Sequence, residues 1–117
     1  MDTMATSSAV KVFHAHVYYE AATRASADSL RSHLMEISRG RLEIYTLSDG
    51  PRGPHITPMF GVDIPAEALP EILGVLMTRH GPHSVLIHPV TGNELLDHTH
   101  HALWLGQPQP LNLAVLV

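Results

Sequence analysis

Apolar residues along the chain follow two rhythms, a two-residue alternation in four segments and a three-to-four-residue spacing in two others. The run Ala9 to Tyr19 (AVKVFHAHVYY) is rich in β-branched and aromatic residues and lacks polar breaks at helical period, which predicts a strand. Thr23 to Ser26 offers a cap, and Leu30, Leu34 and Ile37 then recur at near-helical spacing before Gly40, which predicts a first helix. Arg41 to Leu47 reads as a second strand, ending at the turn-rich Ser48 to Pro54. His55 to Ile64 reads as a third, with Pro58 requiring an irregular or non-donating place in the pairing. Pro65 opens a second helix with Leu69, Ile72, Leu73 and Leu76 in one stripe, stopping near Gly81 and Pro82. His83 to His88 is a fourth strand, closed by Pro89. Beyond the turn at Val90 to Asn93, Asp97 to Trp104 is expected as a short helix or a loop lying across the sheet.

Strand, helix, strand, strand, helix, strand is the order of a ferredoxin-like α+β sandwich, with two helices on one face of an antiparallel sheet and the other face free. Alternation then sorts the side chains. If Phe13, Ala15 and Val17 face the helices, then His14, His16 and Tyr18 face the free side. By the same rule Ser84, Leu86 and His88 join them from the fourth strand. From the third come His55, Thr57, Met59 and Asp63, unless Pro58 shifts the phase. Separate strands are thus expected to converge histidines on one surface.

Composition sharpens this expectation. The chain has 117 residues, 44% hydrophobic and 15% charged, enough to bury one core and too apolar for disorder. We expect a leader at residues 1–8 that frays and a single domain over residues 9–117. The net charge of −4, with seven scattered Lys and Arg, argues against nucleic acid as a partner. No stretch of about 18 apolar residues suggests a membrane span, and the composition suits the cytoplasm. Without cysteine there is no disulfide, thiolate ligand or thiol nucleophile. Neither a G-x-S-x-G turn nor a Gly-rich phosphate loop is present. Histidine, at ten residues, outnumbers all Lys and Arg together. It is the commonest metal ligand and the usual acid or base near neutral pH.

On a strand, His14-Ala-His16 places two imidazoles on one face, and His88 arriving there makes three, enough for a metal site with open positions. The bland reading of such a pair is a polar, solvated face, and convergence is what separates the two. Asp97-His98-Thr99-His100-His101 is the densest cluster; His98 and His101 could share one helical face, and Asp97 could orient an imidazole from the second layer or ligate directly. His55, after Gly53-Pro54, suits an acid, base or hydrogen-bonding role, with a simple turn residue as the alternative. Tyr18 and Trp104 are candidates to line an aromatic substrate pocket. Glu20 and Asp63 are the carboxylates that could complete a site of two histidines and one carboxylate. His33 and His80 fall at the helices and carry no assigned chemistry; His83 stays ambiguous.

Four strings in order resemble the DOPA 4,5-dioxygenase family, an extradiol ring-cleavage group. They are His14-Ala-His16-Val-Tyr18; Gly53-Pro54-His55 with Pro58-Met59-Phe60; Val85 to Pro89 with Thr91-Gly92; and Asp97-His98-Thr99 with Ala102 to Gly106. The resemblance implies a ferredoxin-like, often dimeric protein with a histidine-bound metal that opens a catechol such as DOPA with dioxygen. Ile56 departs from it, because the family commonly has a proline there, and this bears on pocket shape more than on chemistry. The apolar tail Leu111 to Val117 lies past the resemblance and is expected as an added edge strand, a subunit contact of a homodimer, or a fold-back on its own domain.

The expected arrangement is Fe(II), or zinc or another divalent ion as purified, held by His14, His16 and His88, with His98, His101 or His55 handling the catechol proton. The alternative is a non-catalytic domain using the same face to bind a small molecule, a partner strand or a structural metal. A lesser one is a dimer surface that senses pH through its histidines.

Overall fold

The computed structural model of the protein describes residues 9–117; the expected leader at residues 1–8 lies outside the described residues. Five strands, β1 (Val12–Tyr18), β2 (Glu43–Ile44), β3 (Met59–Pro65), β4 (Val85–Pro89) and β5 (Leu103–Leu105), form one sheet in the order β2-β3-β1-β4-β5. Every pairing is antiparallel. Helices α1 (Arg24–Ser38) and α2 (Leu69–Arg79) connect β1 to β2 and β3 to β4. The first four strands and both helices are the ferredoxin-like α+β sandwich expected from the element order.

The inward rhythm of each strand builds the main core. Ala15 and Val17 of β1, Phe60, Val62 and Ile64 of β3, and Val85 and Ile87 of β4 pack with Leu30 and Leu34 of α1 and Ile72 and Leu76 of α2. Helix α1 ends as Arg39 and Gly40 both take positive φ, 53° and 77°, a left-handed exit that stops helical hydrogen bonding.

The second strand is shorter than its hydrophobic pattern suggests. Ile44 pairs with Val62, whereas the next bridge joins Ser48 to Met59, so four residues on one side span three on the other. That extra residue bulges the chain after β2 and turns Tyr45 to Leu47 outward from regular pairing. Likewise the third strand begins at Met59, and His55 belongs to a separate hairpin in front of it, where Arg52 and His55 exchange both backbone hydrogen bonds at 2.9 Å.

The face expected to be free is covered. After β4, the short helix α3 (Glu94–Asp97) and β5 bring the chain back over it, and Ala102, Trp104 and Leu111 pack on a second cluster of Tyr18, Met59 and Leu86. Trp104 pairs with Leu86 across β4 and β5, which puts both on the same side of the sheet. The segment from Asp97 to Trp104 is therefore neither purely helix nor purely loop, because it closes α3 and opens β5. The apolar tail folds back on its own domain: Leu111 bridges His55, and residues Leu113–Leu116 form a 3-10 turn rather than an edge strand. No helix of the described residues is long and apolar enough to cross a membrane.

Candidate metal centre

Five histidines from four parts of the fold meet beneath this cover: His14 and His16 on β1, His55 on its hairpin, His88 on β4 and His98 at the end of α3. Two overlapping triads have ligand nitrogens mutually within 4.8 Å, His14-His16-His88 and His16-His55-His98. His14 and His88 are direct cross-strand partners, so their side chains leave the sheet on the same side. His16 stands at the centre, its ring centroid 4.0 Å from that of His55 and 5.3 Å from that of His88, while His88 and His98 lie 4.2 Å apart. His55, His88 and His98 are buried.

Hydrogen bonds restrict the tautomers. Nδ1 of His88 donates to the carbonyl of Pro89 at 2.8 Å and Nδ1 of His98 to that of Glu94 at 2.7 Å, which leaves a lone pair on Nε2 of each neutral ring. The Nε2 atoms of His16 and His88 are 3.2 Å apart. Two lone pairs cannot face each other at that distance, so a proton or a cation must lie between them. With the proton on Nε2 of His16, its Nδ1 becomes a bare lone pair, and this is the one buried side-chain polar atom without a partner among the described residues. The Tyr18 hydroxyl and Nδ1 of His55 share a hydrogen bond at 2.7 Å; with the hydroxyl as donor, the proton of neutral His55 sits on Nε2. His14 donates from Nε2 to Asp63 at 3.1 Å.

Burial and crowding keep His16, His55 and His88 neutral. Burial, reinforced by the neighbouring imidazoles, pushes His16 well below the usual histidine range. The same desolvation, with a smaller push from the charge of His98, lowers His55 to about 4. His88 also falls to about 4, because burial outweighs its bond to Pro89. Burial raises Tyr18, so its hydroxyl stays protonated and able to donate.

These donors fit a divalent ion on three counts. All are imidazole nitrogens, the Nε2 lone pairs of His88 and His98 are left free by their Nδ1 bonds, and a buried nitrogen of His16 is unsatisfied without an ion. The 3.2 Å gap between His16 and His88 also matches the roughly 3 to 3.4 Å between nitrogens that share an ion at ~2.1 Å.

A cavity of about 480 Å³ opens beside the cluster, its lining including His14, His16 and His55 together with Tyr45, Arg52 and Asp63. Gly61 helps keep it open. A Cβ there would stand 3.7 Å from Nδ1 of His16 and 3.5 Å from the Tyr45 ring. Asp63 lies beside His14 and also accepts from the Tyr45 hydroxyl at 2.6 Å. That bond, with burial and the carboxylate charge behind it, raises Tyr45 to about 12.

Other sequence candidates take other positions. Tyr18 and Trp104 stack at 5.8 Å within the second cluster and do not line this cavity, because the covering segment buries Tyr18 and turns its ring away from the opening. His101 binds Asp97 at 2.8 Å at the surface side of α3, and its nitrogens join neither triad. Asp97 is buried and accepts from the amide and hydroxyl of Thr91 as well, so it anchors the loop from β4 to α3. Those bonds outweigh its burial and hold its carboxyl below the usual carboxylate range. Glu20 is exposed at a 3-10 turn away from the histidines, where Thr23 accepts from its amide. His83 is structural, tied to Ser26 at 2.9 Å and to the carbonyl of Tyr18 at 3.0 Å. Arg52 and Tyr45 were not singled out by sequence reasoning; the turn signal at Gly53-Pro54 was the available hint for Arg52.

An α+β sandwich with a buried imidazole cluster beside a ring-sized cavity defines a class of small histidine-site proteins, and comparison narrows it. The model of the Dopa 4,5-dioxygenase family matches residues 13–115, and the chain belongs to that family. It is 30% identical to a DOPA 4,5-dioxygenase of Amanita muscaria over 93% of this chain and 51% of that protein. It is 34% identical to an uncharacterized 21.2 kDa protein of Botryotinia fuckeliana over 89% of this chain and 62% of that one. The chain thus spans about half to three-fifths of the curated relatives it matches. Among solved structures, a dioxygenase candidate from Nostoc punctiforme superposes with a TM-score of 0.85 at 34% identity, covering 92% of this chain and 91% of that one.

Proposed function

We propose that the protein is a metal-dependent oxygenase that opens the ring of a catechol, DOPA or a relative of it, with dioxygen. The observation that carries this reading is the meeting of five imidazoles beside a cavity of about 480 Å³ that three of them, His14, His16 and His55, line, a volume within the range of small-molecule sites. Membership of the family and likeness to the Amanita enzyme support the same chemistry.

His16 and His88, which share one triad with His14, are the residues best prepared to hold the ion, and His98 joins His16 in the other triad. Backbone carbonyls hold Nδ1 of His88 and of His98, leaving an Nε2 lone pair on each neutral ring, and burial keeps His16 and His88 unprotonated. Fe(II) bound there would supply the Lewis acidity and redox capacity that reaction between dioxygen and an aromatic ring requires; zinc fits the nitrogens equally well as purified. His98 is thereby a ligand candidate rather than the base that its clustered sequence suggested. With the Tyr18 hydroxyl as donor to Nδ1, neutral His55 carries its proton at Nε2 and acts as a hydrogen-bond donor toward a substrate oxygen. Met59 and the covering segment that ends at Leu111 exclude bulk water from the inner wall.

The test is turnover of a panel of catechols by the ferrous-loaded protein, followed by the absorbance of the ring-opened product. His88→Ala should abolish it and lower the bound iron. Undiminished turnover in that variant would refute the proposal.

A further inference from the structure

The cavity has one charge without a partner. Its only carboxylate, Asp63, already accepts from His14 and Tyr45, whereas no carboxylate lies within ion-pair distance of Arg52 among the described residues. Arg52 is the sole Lys or Arg in the lining, in a chain whose net charge is −4.

Its position is fixed rather than incidental. Arg52 and His55 are directly opposed in the antiparallel hairpin, so their side chains leave the same side, one toward the imidazoles and one beside the cavity mouth. Such a hydrogen-bonded pair holds its Cα atoms about 5.5 Å apart. The two-residue loop Gly53-Pro54 closes it, with Gly53 at the positive φ of 55° that the first loop position favours. Asn112 pins the loop from the other side by donating to the Pro54 carbonyl at 2.8 Å. An exposed guanidinium carried in the cavity lining, directly opposite His55 on the hairpin and without a carboxylate partner among the described residues, is a fork for a carboxylate.

We infer that Arg52 is the specificity-determining residue of the site and takes the carboxylate that the aromatic substrate carries on a short aliphatic arm. The inference rests on the aromatic-substrate reading above, and it selects anionic over neutral catechols.

Calorimetric titration of the metal-loaded protein under nitrogen, with 3-(3,4-dihydroxyphenyl)propionate and with its amide, tests it without requiring turnover. The wild-type protein should bind the acid about 10-fold or more tightly than the amide, as a charge-assisted pair warrants. Arg52→Gln should bring that ratio close to one with little change for the amide, and Arg52→Lys should restore part of it. A ratio unchanged in Arg52→Gln, or equal binding of acid and amide by the wild type, overturns the inference. If the ratio behaves as expected but neither compound is ring-opened in air, the oxygenase reading fails while the role of Arg52 stands.

Discussion

The hydroxyl of Tyr18 lies 2.7 Å from Nδ1 of His55, and both residues are buried between the sheet and the segment that returns over it. Tyr18→Phe removes the donor and frees His55 to change tautomer. We expect a stability loss of about 1–2 kcal/mol, the usual effect of leaving one buried partner unsatisfied. Bound metal should be retained while kcat falls, because Tyr18 sets the proton on His55 and touches no ligand nitrogen. Metal analysis beside steady-state kinetics checks this; loss of the metal in parallel with activity would contradict it.

Acid should unfold the metal-free protein early. Histidine in the unfolded chain protonates near 6.5, whereas folded His55 and His88 resist until about 4. Between those values the unfolded state binds more protons, so stability rises with pH across the window and is lost as pH falls through it. Urea midpoints measured in chelator from pH 4 to pH 7.5 should climb and then level off above about 6.5. A flat profile would count against the burial of these rings.

Adding a divalent ion should raise the melting temperature. An ion that binds only the folded form stabilises it by about 2.7 kcal/mol when present at 100 times its Kd. Thermal scans with ferrous or zinc ions, under nitrogen where needed, should show the increase in the wild type and its loss in His16→Ala. An equal increase in both would place the ion elsewhere.

Gly61→Ala tests the open wall. The added carbon meets His16 and Tyr45 at ordinary contact distances, so the fold should change by no more than about 0.5 kcal/mol. Because that carbon sits over the cavity, KM for a catechol should rise several-fold with bound metal unchanged.

Asp97→Ala should instead weaken the scaffold. It strips the acceptor from the Thr91 amide, the Thr91 hydroxyl and His101 in one step. We expect a loss of about 2–3 kcal/mol, from several orphaned groups around a buried carboxylate. Asp97→Asn should recover part of it, as read from urea midpoints.

The sandwich and the shared face of His14, His16 and His88 were legible because strand alternation is a local property, repeated in β1 and β4 without interruption. His55 was harder to place. Pro58 separates it from β3, and its orientation comes from pairing with Arg52 and Leu111, the latter 56 positions away in the chain. His98 was visible as part of a cluster, but not as a member of the centre, since that depends on how α3 swings over the sheet. The cover was legible only as a segment that could lie across the sheet, because its anchors, Trp104 on Leu86 and Leu111 on His55, are long-range contacts with no periodic signature. Tyr18 shows the same limit: alternation puts it on the expected side of the sheet, and only the cover decides that it packs with Met59 and Leu86 instead of lining the cavity of about 480 Å³.

The bridge between Leu111 and His55 couples the end of the described chain to its chemistry. A tag, fusion or neighbouring molecule that tugs on the turn at Leu113–Leu116 would be felt as a displacement of the proton-bearing ring, so the C-terminal turn works as a lever on the centre and not as trim.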